Sequence, residues 1–282
     1  PNISDKIYSN IGSFRNTGVE FNIQAFIIDN KNFQWKTMYN FSTYKLSVVN
    51  LSNEEYAWTE MHLSNAEGQG MVGENNWTQI LSDKYDLGTF LLPIYAGIDT
   101  NGKFLFEGKK TGSTTPEFLL AKRKIAGSAL PKFTMGWSNY FTFAKNFDLQ
   151  FSWRLIYGYS IFNNTRLIFG NAKWLPNSNV LRSALEDYDK GLRTDPIVSS
   201  YYLEDGSFAR LDNVVFGYNF NPKNSVWIKR LRVYVSATNL LTITKYTGVD
   251  PEINFSGLSF GIEKFDVYPK TRSITLGINL SF

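Results

Sequence analysis

The feature that most constrains this chain is a period of two in its apolar residues, which recurs over much of its length. In the last twelve residues, TRSITLGINLSF, Ile274, Leu276 and Ile278 alternate with small polar residues, and the pattern continues to the final phenylalanine. Successive side chains of a β-strand point to opposite sides, so this pattern predicts strands with one apolar and one polar face. The segments that share it are 17–28, 33–46, 132–143, 147–161, 208–220, 230–243 and 271–282. The sequence therefore predicts an all-β fold of long strands.

The connections between these segments alternate between short and long. The short ones, which predict antiparallel hairpins, are 29–32, 144–146 and 221–229. The long ones are at about 48–131, 162–207 and 244–270, and a turn signal at 99–102 predicts one more strand pair around 87–106. In outer-membrane barrels the connections alternate in the same way, between short periplasmic turns and long extracellular loops. We therefore expect the three long connections to be extracellular loops.

Strand length distinguishes a membrane barrel from a soluble β-sandwich, because apolar and polar residues alternate along the strands of both. The predicted strands are longer than the average of about five or six residues, and a tilted membrane strand needs about nine to eleven. Charged residues fall on the polar face of the strands, where a barrel would have its lumen. Examples are Glu20, Lys36, Asp148, Arg154 and Arg232. We interpret the chain as a transmembrane antiparallel β-barrel segment and expect Lys36, Asp148, Arg154 and Arg232 to form ion pairs on the wall.

The predicted number of strands is odd, whereas single-chain bacterial barrels have an even number. We therefore expect residues 1–282 to form the C-terminal portion of one larger barrel domain. The other strands would belong to the same polypeptide or to another chain.

The composition gives little support for catalysis. There is no cysteine and a single histidine, His62, so we expect no metal, no cofactor and no nucleophilic site. The acidic pairs Glu54–Glu55 and Glu186–Asp187 are interpreted as solvated loop residues, and the turn at Asp99 lacks the acids of a calcium loop. The net charge of +4 is mild, and the basic run 122–124 is expected to be a solvated loop. We predict that the chain is not an enzyme and does not bind nucleic acid.

Aromatic residues in the long loops are the candidate ligand-binding residues. Their flat apolar faces suit sugar rings or a protein partner, and their polar tips can form hydrogen bonds. The candidates are Trp58, Trp77, Tyr85, Trp174, Tyr201 and Tyr202.

Several motifs resemble one family of outer-membrane proteins, and they occur in its order from about residue 16 to the end. The longest are EDGSFARLDNV at 204–214 and LRVYVSATNLLT at 231–242. Shorter ones are TGVE at 17–20, PKFTMGW at 131–137, KNFDL at 145–149, YTGVDPE at 246–252 and YPKTRS at 268–273. Together they resemble the SusC/RagA-type TonB-dependent outer-membrane transporters.

The resemblance implies a barrel of 22 strands in the outer membrane of a Gram-negative, Bacteroidota-like bacterium. It implies that about fifteen strands, a plug domain and the segment that engages TonB lie outside this sequence. It also implies a SusD-like surface lipoprotein as partner and the uptake of oligosaccharides or peptides. The alternatives are another barrel class, such as a siderophore receptor or a passive porin, and a secreted soluble β-protein that binds glycan or a protein partner.

Overall fold

A computed structural model of the chain describes residues 12–53, 56–66, 76–222, 227–253, 257–264 and 268–282. The predicted acidic pair Glu54–Glu55 and part of the predicted turn at 221–229 lie outside these ranges. The strands of the described residues are β1 (Ser13–Asp29), β2 (Phe33–Asn50), β3 (Glu60–Asn65), β4 (Trp77–Ser82), β5 (Thr89–Pro93), β6 (Tyr95–Ile98), β7 (Phe104–Glu107), β8 (Thr114–Thr115), β9 (Arg123–Ser128), β10 (Phe133–Phe143), β11 (Phe147–Tyr157), β12 (Ser160–Phe162), β13 (Leu203–Asp205), β14 (Phe208–Phe220), β15 (Arg230–Thr244) and β16 (Ser273–Ser281).

The helices are short and lie in the connection between β12 and β13. The α-helices are α1 (Asn164–Phe169) and α2 (Ser183–Asp189), and 3₁₀ turns occupy Phe118–Leu120, Ala172–Trp174 and Ser200–Tyr202. No helix in the described part of the chain is long and apolar enough to cross a membrane.

The long strands form one antiparallel sheet in the order β1-β2-β10-β11-β14-β15-β16. Each of the seven predicted strands is present, which confirms the all-β prediction. The first two are longer than predicted, at 17 and 18 residues, because β1 starts before the alternating segment and β2 continues past it. Apart from shifts near the ends of the β1–β2 pair and within β14, hydrogen-bonded neighbours keep their register, so the alternation of each strand adds up to two continuous faces.

One face of the sheet is apolar and uncovered by any second layer within the described ranges. Phe21 and Phe41 stack at 5.3 Å between ring centroids, and Phe41 stacks on Phe133 at 5.6 Å. At the far edge Leu276 is 82% exposed. A soluble sandwich would bury this face against another sheet. In a membrane barrel it contacts lipid.

One irregularity changes which residues of β14 face outward. The pairing of β14 with both β11 and β15 shifts between Leu211 and Asn213. Asp212 is an extra residue opposite β11, whereas β15 has two residues, Asn239 and Leu240, opposite Asp212. Ala209 and Leu211 share the apolar face before the bulge, whereas Val214 does so after it. Such bulges re-aim side chains. Here the bulge accompanies a contact between Asp212 and the wall residue Arg154.

The first long loop folds into sheets of its own. One has the order β3-β4-β5-β9 and another the order β6-β7-β8. The β6–β7 hairpin confirms the strand pair predicted around the 99–102 turn, where the Asp99 carboxylate accepts hydrogen bonds from the backbone of Asn101 and Lys103. The loop has a hydrophobic core that includes Phe90 and Phe106, both fully buried. This region is therefore a packed body rather than a set of solvated loops.

Candidate functional site

The three long connections leave the sheet at the same end and pack together there. Backbone hydrogen bonds join them directly: Phe162 of the second connection donates to the carbonyl of Gly261 in the third, and Arg193 of the second donates to the carbonyl of Gly102 in the first. Gln79 of the first loop donates to the carbonyl of Phe260 in the third. We call this assembly the loop body, comprising the described residues of 51–131, 158–207 and 245–270. It is the candidate functional site.

A group of charged residues fixes the third loop to the polar face of the sheet. Arg210 of β14 is 2% exposed and lies 2.7 Å from Asp250 and 2.9 Å from Glu252, measured between nitrogen and oxygen. Its Nε also donates to Thr242 on the neighbouring strand. A guanidinium buried to this extent is stable only because acceptors surround it.

A second arginine binds the same carboxylate. Arg154 of β11 donates to Asp212 at 2.9 Å and forms two hydrogen bonds with Glu252. Lys270, at the far end of the loop, also pairs with Glu252. We call Arg154, Arg210, Asp212, Asp250, Glu252 and Lys270 the ionic clasp.

Electrostatics around Glu252 favour its charged form. Burial would raise the pKa of this carboxyl, but hydrogen bonds from Arg154 and Lys270 outweigh burial and lower the pKa to about 2. The loop backbone is held in the same place, since Tyr159 donates its hydroxyl to the carbonyl of Pro251 at 2.6 Å. Burial raises the pKa of Tyr159, so this hydroxyl remains a donor at neutral pH. The start of the third loop is thus attached to the wall through its side chains and to the second loop through its backbone.

A second charged cluster lies in the connection that carries the helices. Arg166 of α1 lies over the ring of Tyr201, with its Cζ 4.5 Å from the centroid, and its Nη2 is 3.5 Å from the buried carboxylate of Asp187. Glu204, 3.6 Å from Arg166, accepts hydrogen bonds from the backbone and hydroxyl of Thr247 in the third loop. Beside this cluster a cavity of about 520 Å³ opens between α1, α2 and residues 247–249. Two loops therefore meet around one cavity.

The polar face also carries an ion pair and a cation–ring contact at the opposite end of the strands. Arg232 of β15 contacts Asp148 of β11 at 2.6 Å, and Asn219 donates to the same carboxylate. The ammonium of Lys36 lies 5.7 Å from the ring centroid of Phe26 and 5.9 Å from that of Tyr140. The expectation that charges of this face pair on the wall holds for Asp148, Arg154 and Arg232, whereas Lys36 contacts aromatic rings.

The loop aromatics named from the sequence have different environments. Trp77 and Tyr202 are buried, Trp58 is 48% exposed, and Tyr85, Trp174 and Tyr201 are half-buried. The structure brings two of them together, with the rings of Tyr201 and Tyr202 5.2 Å apart. Sequence reasoning missed the ionic clasp, although two of its members lie in the segment YTGVDPE.

The sequence predicts that the basic run at 122–124 is a solvated loop, but the structure places Arg123 in a strand and partly buries it. Arg123 begins β9, and its guanidinium carbon lies 3.7 Å from the ring centroid of Trp77, which stacks on His62 from the other side. It donates to the carbonyls of Trp77 and Leu91, and burial lowers its pKa to about 10. A stacked guanidinium that also satisfies backbone carbonyls is part of the packing of the loop body. Among the described residues there is no group of three or more metal-ligating acids, histidines or cysteines.

Comparison with known proteins gives consistent results. No family model matches the chain. TonB-dependent receptor P3 of Formosa agariphila is 32% identical over 97% of this chain, and TonB-dependent receptor SusC of Bacteroides thetaiotaomicron is 26% identical over all of it. The aligned parts are 29% and 28% of those relatives, so the chain spans less than a third of their length.

Solved structures give the same answer. The RagAB peptide transporter matches 98% of this chain with a TM-score of 0.76 and 27% identity, covering 30% of the matched chain. The "open-open" state of the RagAB peptide importer matches with a TM-score of 0.74. These relatives are receptors and transporters rather than enzymes. The motifs, the sheet and the comparisons agree that the chain belongs to the SusC/RagA-type TonB-dependent transporters of the outer membrane.

Proposed function

We propose that this chain is the loop-bearing part of a TonB-dependent importer that takes up oligosaccharides or peptides through the outer membrane. The observation that carries the proposal is the two-faced sheet with a packed body at one end. Its apolar face suits lipid, its polar face carries paired charges suited to a wet lumen, and the loop body lies where an external ligand would arrive. The work of such a protein is binding and translocation, not catalysis.

The sheet would form part of a larger closed barrel. Within the described residues β1 pairs on one side with β2, and β16 pairs on one side with β15. Unpaired backbone groups in lipid cost several kcal/mol each, so both edges require further strands. The relatives are more than three times as long as the aligned part, which leaves room for those strands, a plug and a TonB-binding segment.

The loop body would contact a SusD-like surface lipoprotein, and the two would enclose the ligand. Exposed Trp58 and the half-buried Tyr85, Trp174 and Tyr201 offer surfaces for ligand or lid. Trp77 and Tyr202 would act by supporting these surfaces, since their rings are buried.

Uptake by cells that express the full-length receptor tests this proposal. Labelled oligosaccharides and peptides are supplied with and without an uncoupler of the inner-membrane proton gradient, and with and without the segment that engages TonB. We expect uptake to stop in both treatments while binding to the cell surface continues. Uptake that survives both treatments would indicate a passive pore and contradict the proposal.

A further inference from the structure

A cavity with an excess of positive charge lies beside the turn between β7 and β8. This cavity, here called the lysine pocket, has a volume of about 330 Å³, within the range of about 300–1,000 Å³ that small-molecule sites occupy. Its lining consists of residues 107–114, Lys122 and Lys124. It shares no residue with the ionic clasp or with the cavity beside α2, so it is a separate site.

Backbone hydrogen bonds fix the two sides of the lysine pocket. Gly108 donates to the carbonyl of Ser113 at 2.7 Å, which closes the turn. Lys122 donates to the carbonyl of Glu107 at 2.8 Å, which holds the second side beside the first. The turn requires glycine, because a side chain at Gly108 would clash with the hydroxyl of Ser113 and Gly112 has a φ of 75°. The lysines therefore extend from a defined backbone around the cavity.

The charges of the lysine pocket are unbalanced. Four lysines line it together with a single acid, Glu107, which pairs with Lys124. Lys109, Lys110 and Lys122 are exposed and form no ion pair within the described part of the chain. Ammonium groups around one cavity repel each other, and an anion bound among them offsets that repulsion. The lysine pocket is therefore suited to an anion.

The neighbouring hydrogen-bond donors define the kind of anion. The hydroxyls of Thr111 and Thr114 belong to the lining, and the backbone N–H groups of 109–112 donate to no other group among the described residues. No aromatic ring lines the pocket, so it offers no stacking surface for an uncharged sugar. A phosphate or sulfate ester has several acceptor oxygens and matches ammonium, hydroxyl and backbone donors together.

The position of the lysine pocket favours a soluble ligand over a membrane lipid. β9 begins at Arg123, beside the pocket, and ends at Ser128, shortly before the chain returns to the sheet in β10. Ser128 pairs with Thr89, and Leu87, two residues earlier, donates its backbone N–H to β2. At about 3.3 Å per residue, β9 places roughly 16 Å of strand between the pocket and this attachment. The lysines thus lie at the end of β9 away from the sheet, where a solute arrives first.

We propose that the lysine pocket binds the phosphate or sulfate ester group of a soluble molecule. Lys109, Lys110 and Lys122 contact the charged oxygens, and the hydroxyls of Thr111 and Thr114 donate further hydrogen bonds. This inference goes beyond the proposed import function and does not depend on it, because it concerns the capture of a charged group and not the way a cargo crosses the membrane.

Calorimetric titration of the purified full-length receptor tests the lysine pocket. The probes are glucose 6-phosphate, glucose 6-sulfate, glucose and dihexanoyl phosphatidic acid, a soluble lipid with a phosphate headgroup. Lys110→Gln and Lys122→Gln each remove one charge from the pocket, and Lys122→Arg keeps the charge. Lys103→Gln is the matched control, since it removes a charge from an exposed lysine outside the pocket.

We expect both sugar esters to bind to the wild type and glucose not to bind. Each glutamine variant of the pocket should weaken binding of the esters about tenfold, as loss of a charge-assisted hydrogen bond does. Lys122→Arg and Lys103→Gln should leave it nearly unchanged. Because the substituted side chains are exposed, the variants keep the fold, and an unchanged melting temperature checks this.

Binding of glucose as tight as that of its esters would overturn the proposal, as would ester binding that the pocket variants do not weaken. An equal loss in Lys103→Gln would show a general attraction of anions to the receptor instead of a site. Binding of dihexanoyl phosphatidic acid without binding of the sugar esters would assign the pocket to a lipid headgroup and overturn the soluble ligand. Energy-dependent uptake by cells is measured separately, so failure of this site leaves the import function standing.

Discussion

At the scale of single residues, Glu252 holds the third loop to the wall. Its carboxylate forms ion pairs with Arg154, Arg210 and Lys270, so three cations share one negative charge. Removing the acid would leave Arg210 buried with fewer acceptors. The cost of such a loss lies in desolvation more than in the missing attraction.

Glu252→Gln should therefore destabilise the loop by about 2–3 kcal/mol, less than a fully buried pair because Glu252 is partly exposed. The folded pKa of about 2 lies below the ordinary value of 4.5, so the charge contributes fully above pH 4.5 and is lost as pH falls towards 2. Thermal unfolding of the full receptor in detergent at several pH values measures this. The difference between wild type and variant should shrink below pH 4.5, and a constant difference would contradict the assignment.

A polar contact on the lipid-facing side gives a second prediction. Trp35 donates its indole N–H to Asn139 at 2.9 Å, and Asn139 is fully buried although it lies in the apolar face. Trp35→Phe or Asn139→Leu alone leaves one buried polar group unsatisfied, and each should cost about 1–3 kcal/mol. The double variant removes both groups and should cost less than the sum of the single variants. Denaturant unfolding in lipid vesicles measures the free energy of unfolding of the wild type, the two single variants and the double variant. If the cost of the double variant equals the sum of the two single costs, the contact is refuted.

At the scale of elements, the turn between β10 and β11 is under strain. Ala144 and Lys145 both have positive φ, at 47° and 65°. Glycine adopts this region freely and asparagine or aspartate occasionally do, but other residues rarely adopt it. Lys145→Gly should stabilise the hairpin by up to about 1 kcal/mol, because glycine enters this region without steric cost. An increase in the melting temperature of the receptor is the expected readout. Asn146→Gly, at a neighbouring position outside the positive-φ region, serves as the control and should give no increase.

Sequence predicts the strands of the sheet well and the loop body poorly. Long alternating segments define β1, β2 and β10 because each side-chain position meets a uniform environment, lipid or lumen. The strands of the loop body are short, at two to six residues, so periodicity gives them little signal. In β4 burial at every position also removes the alternation. The bulge at Asp212 is equally hidden, since it depends on pairing with both neighbouring strands.

The candidate functional site, too, is only partly predictable from the sequence. The aromatic residues of the loops are visible in the sequence, but their exposure depends on contacts made by distant segments. Arg154 and Glu252 are 98 residues apart, so only the folded chain brings them together. The available signal was the segment YTGVDPE, whose two acids lie close together shortly after the end of β15.

At the scale of the whole molecule, the claim that the apolar face meets lipid can be tested on the last strand. Leu276 lies on that face and Thr275 beside it on the polar face, and both are exposed in the sheet. Leu276→Arg should destabilise insertion by about 2–4 kcal/mol if the position lies near the bilayer midplane, whereas Thr275→Arg should be nearly neutral. The amount of folded full-length receptor in the outer membrane measures both. Equal effects would contradict the assignment of faces.

The ionic clasp has a consequence for movement. With Asp250 and Glu252 attached to strands of the sheet, the start of the third loop travels with the wall and cannot swing as a hinged gate. Under the import function proposed above, any rearrangement of the loop body during transport would have to occur in segments other than this one.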